Sequence, residues 1–204
     1  MAAYATSTDV KQYLGINSTL TGDDTLITAL ILRAQTAIDT HTHRTFSSTA
    51  AATRRFTVGL DTFDGVLWFD EDIYSVSTVK TNADSTAPVT VASTEYVTLP
   101  RNRTPYYGIK LRSDADVEWD YADAPEMGIT VAGRWAYSAT PPADIKHACV
   151  RLASYYYQQK DAQVYDVTAM PDAGVITVPQ GVPADVKEIL KPYVKKDVSV
   201  IVAG

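Results

Sequence analysis

The sequence predicts an α+β protein: a helical bundle built from N- and C-terminal helices, with an antiparallel β-sandwich or small barrel inserted between them. Three observations carry this. Apolar residues recur at helical spacing over residues 7–42 and again from about 141 onward, the 3.6-residue period of a helix with one buried face. Between about Ala52 and Tyr137 the period changes to two, as along half-buried strands. Gly, Pro and Asn punctuate that middle region every few residues, which is turn chemistry. The implied division is 1–51 for the first helices, 52–138 for the β insertion and 139–204 for the closing helices.

Taken in order, a short helix is expected over Ser7–Leu14, with Ser7 or Thr8 as N-cap and Gly15 in the left-handed position beyond its end. Thr21 and Asp24 resemble a capping box for a second helix reaching about Thr42, with Leu26, Ile27, Leu30, Ile31, Ala34 and Ile38 at helical spacing. Strands are expected at Thr53–Val58, Val66–Phe69, Ile73–Lys80, Val89–Leu99, Tyr106–Arg112 and Ile129–Ala136. Asp64-Gly65, Asn82 to Asp84 and Pro100 to Pro105 supply turns. A third helix starts at Pro141-Pro142-Ala143-Asp144 and runs to near Gln159, its buried stripe marked by Ile145, Ala148, Cys149, Leu152 and Tyr156. Residues 161–182 read as a long loop, and a last helix follows from Val182-Pro183-Ala184-Asp185 until Pro192 ends or kinks it. The tail from Val198 is apolar and β-prone.

Composition narrows the function. No apolar run approaches the ~18 residues of a membrane span, and the N-terminus lacks the pattern of a secretory signal, so synthesis in the cytoplasm is expected. A net charge of −6 argues against gripping nucleic acid, which calls for a basic face, yet suits a wall past which DNA slides without sticking. The sequence holds 13 Tyr against 4 Phe and 3 Trp, side chains suited equally to a half-exposed sheet and to surfaces that become buried in an assembly. The single Cys149 is expected in the core.

No nucleophile elbow, phosphate loop, dinucleotide fingerprint or zinc-protease motif is present; the chain reads as a non-enzyme with no cofactor. His41 and His43, with His147 as a third ligand, form the best metal candidate, but histidine and Arg44 at a helix C-terminus are explained better by the helix dipole. The sharpest local pattern is Asp114 to Tyr121. Extended, it places Asp114, Asp116, Glu118 and Asp120 on one face and Ala115, Val117, Trp119 and Tyr121 on the other. A solvated edge strand kept from aggregating by its charge is the plainest reading. Docking of a neighbour's cations is the second, with Arg101, Arg103, Lys110 and Arg112 as candidates. A calcium or hydrolytic carboxylate site is the third. Arg54-Arg55, close to His43 and Arg44, forms a small basic cluster, read first as a solvated face and second as a contact with an acidic partner. Tyr155-Tyr156-Tyr157 spreads over ~100° steps of the third helix, so at least one ring faces outward or into a partner.

The order of these parts resembles the head–tail connector, or adaptor, proteins of tailed bacteriophages. The likeness lies in Tyr13-Leu14-Gly15-Ile16 closing the first helix, the turn Thr21-Gly22-Asp23-Asp24, and the long helix running into Ile38 to Arg44. It continues in Pro142 to Ala148 leading into Leu152 to Tyr157, and in Val182 to Val186 through Leu190 to Tyr193. These marks cover about half the chain; the acidic segment and Cys149 have no counterpart in them. The resemblance implies a homo-oligomeric ring in the virion neck, commonly a dodecamer, between the portal protein and a stopper or other neck protein. DNA would pass through its axis without specific binding. The long loop and C-terminal segment would reach the portal or an adjacent subunit, and subunit or portal contacts are expected at Arg54, Arg55, Tyr155, Tyr157, Met170, Tyr193 and Val200. Segments 161–182 and 198–204 are expected to be mobile in the free protein and ordered on assembly. The competing reading is a β-sandwich binding module for carbohydrate or protein.

Overall fold

A computed structural model describes residues 3–48, 50–162, 168–170, 174–176 and 182–195, with only the backbone course at 161–162, 168–170 and 174–176. The chain is α+β; among the described residues there are four α-helices, two four-stranded antiparallel sheets and one two-stranded sheet. Its contacts fall into two compact units, one of residues 45–140 and one of residues 3–44 with 141 onward.

In the helical unit, α1 spans Ser7–Leu14 and α2 Asp24–Thr42. The α1 cap is Thr6, one residue before the expected position: the Thr6 hydroxyl accepts from the Asp9 N–H at 3.2 Å, and the Asp9 carboxylate accepts from the Thr6 N–H at 2.8 Å. Asp9, not a Glu, thus completes the reciprocal box. Gly15 takes φ 71°, and its N–H and that of Ile16 reach back to the last free carbonyls. The expected Thr21–Asp24 box does not form. The Asp24 N–H donates to the Thr21 carbonyl at 3.1 Å, and Asp23 is the N-cap without a side-chain capping bond.

Helix α3 spans Ala143–Ala162, past the expected end at Gln159, and α4 spans Ala184–Leu190, followed by a 3-10 turn at Lys191–Tyr193. Pro192 lies in that turn, where its ring and missing N–H stop the α-helix. α3 packs against α1, α2 and α4. Val10, Ile27, Ile31, Ala34, Ile38, Ile145, Ala148, Cys149, Leu152, Val186 and Leu190 are buried. Within the expected loop 161–182, strands β9 (Thr168–Met170) and β10 (Gly174–Ile176) pair antiparallel. The expected mobility there and at 198–204 falls mostly on residues outside those described.

The β unit opens with β1 (Ala52–Phe56), β2 (Thr62–Phe63), β3 (Val66–Ile73) and β4 (Ser75–Thr81). It continues with β5 (Val89–Val91), β6 (Tyr96–Leu99), β7 (Tyr106–Leu111) and β8 (Ile129–Arg134). The sheets have the orders β1-β8-β4-β5 and β2-β3-β7-β6. The single strand expected over Val89–Leu99 is two, one in each sheet, because a turn closed by Glu95 N–H to Ala92 carbonyl at 2.9 Å interrupts it. β3 extends beyond Phe69, with its register to β7 shifting between Trp68 and Ile73, an irregularity that accommodates the charged Asp70-Glu71-Asp72. Both sheets contribute to one core. Phe56, Val79, Val91, Ile129 and Val131 meet Leu67, Phe69, Ile73 and Ile109, and Trp135 joins them. The Phe56, Phe69 and Trp135 rings lie 5.2–5.9 Å apart, in tilted and edge-on geometry that aromatic quadrupoles favour.

Candidate assembly surfaces

The acidic segment is not a strand. Residues 112–121 form no ladder, yet Ala115, Val117 and Trp119 are half-buried and Asp114, Asp116, Glu118 and Asp120 exposed, in strict alternation. Extended backbone alternates its side chains whatever it bonds to, so the two faces survive as far as Asp120 while the edge-strand assignment fails; Tyr121, expected on the apolar face, is exposed. The segment is a strap held by individual bonds. The Thr81 hydroxyl, itself buried, accepts from the Asp120 N–H at 2.8 Å and lies 3.0 Å from the Glu118 carbonyl oxygen. The Trp119 indole N–H donates to the Gly65 carbonyl at 3.0 Å, and the Asp116 N–H to Glu95 Oε2 at 2.8 Å.

Beyond the strap, the Asp84 carboxylate gathers the backbone N–H groups of Ala122, Asp123 and Ala124 at 2.6–3.1 Å. These donors, Ala124 foremost, hold its carboxyl down at about 2. Sequence reasoning saw Asp84 only as a turn residue; nothing local announces a carboxylate whose donors lie some forty positions on.

Of the cations proposed as partners of the acidic face, two are occupied within the chain. Arg112 grips Asp114 through two bonds of 2.8 and 2.9 Å, lowering the aspartate's pKa and raising its own. Lys110 lies 3.6 Å from Asp64. Arg54 bonds Glu71 at 2.7 Å with its guanidinium 5.7 Å from the Trp135 ring centroid. Arg55 is exposed and reaches Met127 Sδ at 3.6 Å.

In the helical unit, Tyr157 is no free surface ring: its hydroxyl donates to Asp23, and Lys160 bonds the same carboxylate at 2.9 Å from above the Tyr157 ring. That pair of donors, Tyr157 first, lowers the Asp23 pKa, and Asp23 raises that of Lys160. This explains why Asp23 leaves the α2 N–H groups uncapped. Tyr193 donates to Asp144 at 3.1 Å, and Tyr155 packs at 5.9 Å from Tyr156, which lies under Arg33. Tyr157 and Tyr193 therefore attach near opposite ends of α3, about 20 Å apart at ~1.5 Å per residue; they do not form one patch. The Met170 side chain and Val200 lie outside the described residues. His43 caps α2 at φ 54° and His147 packs edge-on against Tyr13 at 6.2 Å; among the described residues no group of three ligands is placed to hold a metal ion.

Sequence reasoning also missed Lys11. It is 3% exposed and donates to the Leu20 carbonyl at 2.6 Å, with Asp24 as its ion-pair partner. It ties the α1–α2 turn to the first helix, where a buried cation is tolerated only because it is paired.

The family model for head completion proteins matches residues 4–196. The chain belongs to the head completion protein family. That match spans both units, from the α1 cap through α4. Two solved structures share the fold. The first, described as the neck of an empty GTA particle computed with C6 symmetry, has TM-score 0.57 and 15% identity over 94% of this chain and 89% of the other. The second, from the virion of a native gene transfer agent (GTA) particle, has TM-score 0.56 and 14% identity over the same shares. No curated protein matches the chain. No described helix of this family member is long and apolar enough to cross a membrane.

Proposed function

We propose that this head completion protein is a structural adaptor of the virion neck, copies of which close a ring between the portal and the next neck protein, with DNA passing through the axis. The observation that carries this is the family match over residues 4–196, which includes both units and not a transferable module alone. In this reading the end helices form a bundle, the two sheets form a sandwich inserted as residues 52–138, and twelve copies make the ring. The C6 symmetry of the similar neck particle is compatible with six or twelve. A chain of net charge −6 gives a repeated acidic wall with little affinity for phosphate. The role is structural, without a catalytic step.

The test is electron microscopy of lysates from a phage carrying an early stop codon in this gene. DNA-filled or leaking heads without tails are expected. Normal tailed particles would remove the protein from the neck.

A further inference from the structure

We infer that neighbouring copies interlock through their β units, head to tail, with the arginine tip of one β6–β7 hairpin seated in a groove at the far end of the next. The inference rests on the ring reading, since the partner is a second copy.

The tip is Pro100-Arg101-Asn102-Arg103-Thr104-Pro105. Arg101 and Arg103 are exposed and pair with nothing among the described residues. This sets them apart in a chain whose other cations are mostly taken, as Arg54, Arg112, Lys146, Arg151 and Lys160 are. A hairpin that keeps two guanidiniums unpaired and carries no acid of its own presents an unmet preference for carboxylates.

The groove, of about 630 Å3, lies between the strap and the β2–β3 turn. That is room for a few side chains. Its lining includes Phe63, which is 68% exposed, with Val117 and Trp119. Its rim carries Asp64 and Glu118 together with Lys110 and Arg112; the two cations are held by Asp64 and Asp114, and Asp116 projects on the same face of the strap as Glu118. Glu118 and Asp116 make no ion pair among the described residues. The two guanidiniums of the tip match in sign and number the two carboxylates, Glu118 and Asp116, that Lys110 and Arg112 leave without an ion pair.

Register separates tip and groove. Leu99 pairs with Gly108 at the tip end of β6–β7, and Tyr96 with Leu111 at the groove end. Six residues of β7 at ~3.3 Å each span about 20 Å, so a tip cannot enter its own groove. Two tips repel each other, and a second groove offers Glu118 and Asp116 only cations already held by Asp64 and Asp114. Tip to groove is the contact left, and it is heterologous, the kind that repeats around a ring. Duplex DNA is the weaker candidate for the tip, because two guanidiniums neutralise few phosphates, whereas this chain supplies the carboxylates itself.

The test uses Asn102→Cys with Ser113→Cys in one full-length chain, Cys149 being buried, followed by oxidation of assembled particles and a non-reducing gel. A ladder of covalent multimers is expected only when both new cysteines are present. Tailed particles that contain the protein but give no ladder would overturn the interlock and leave the ring reading standing; tailed particles lacking the protein would remove both. As a second arm, Arg101→Glu with Arg103→Glu is expected to lower the yield of tailed particles at least tenfold, with partial recovery on adding Glu118→Arg. An unchanged yield would also overturn it.

Discussion

Two aspartates in this protein titrate in opposite directions, for reasons visible at single bonds. Asp84 is held near 2 by three backbone donors. Asp39, in α2, is pushed up to about 6 by burial, against a hydrogen bond from the Tyr4 hydroxyl at 2.6 Å. For Asp84 the folded pKa lies below the unfolded 3.8, so its stabilisation is present above about pH 4 and is lost as pH falls toward 2. For Asp39 the folded pKa lies above 3.8. The folded state then binds more protons between about pH 4 and 6, and stability falls as pH rises through that window. Urea midpoints measured against pH should show both slopes. Asp84→Asn is expected to flatten the acidic one and Asp39→Asn the other; a midpoint curve unaltered by either change would mean these carboxylates are not coupled to folding. The Asp84 carboxylate also fixes the chain just beyond the strap, where it serves three consecutive N–H groups. Cys149, fully buried against Ile31 with its thiol pushed up to about 12, is a packing residue with no reactivity at neutral pH.

At the scale of elements, β8 and β4 show how closely the backbones of the β unit approach. Gly133 pairs with Ala52 on one side and Val76 on the other. A Cβ there would collide with the Ser75 carbonyl oxygen and stand 2.6 Å from Ile73 Cδ1. Backbone cannot yield as a side-chain end does, so Gly133→Ala is expected to cost about 2–3 kcal/mol in urea unfolding. Gly22→Ala, with nothing within 4 Å, should stay within ~0.5 kcal/mol. Equal effects at the two positions would contradict the packing described. Helices α1 and α2 match the spans expected from their sequence, because apolar spacing, Gly15 and the run into His43 all act within a few residues. The Asp114–Tyr121 stretch was half legible. Its alternation is a local property of extended chain, but whether it joins a ladder depends on Thr81, Gly65 and Glu95, which no local pattern announces.

For the whole molecule, each unit has its own apolar core, so each is expected to unfold on its own. Ile129 and Leu152 are both fully buried, the first in the β unit and the second in the helical unit. Ile129→Ala and Leu152→Ala should each cost about 2–5 kcal/mol and should lower different midpoints in a two-transition melt. One transition shifted alike by both substitutions would show a single cooperative body. If the ring reading holds, assembly raises both midpoints by mass action, since neighbours bind only the folded form.

Read by itself, the sequence determined what local chemistry controls: the α+β class, the spans of α1 and α2, the two-faced character of the acidic segment, and the family likeness in the helices of both ends. Only the tertiary structure decided which of its charged and aromatic groups remain available. The side chains of Asp23, Tyr157, Arg112 and Lys110 are engaged within the chain, while those of Arg101, Arg103 and Glu118 find no partner among the described residues. The reason is physical: a side chain's type and periodicity are written in its neighbours along the chain, but its partner is selected by folding, from residues up to 134 positions away in the case of Asp23 and Tyr157.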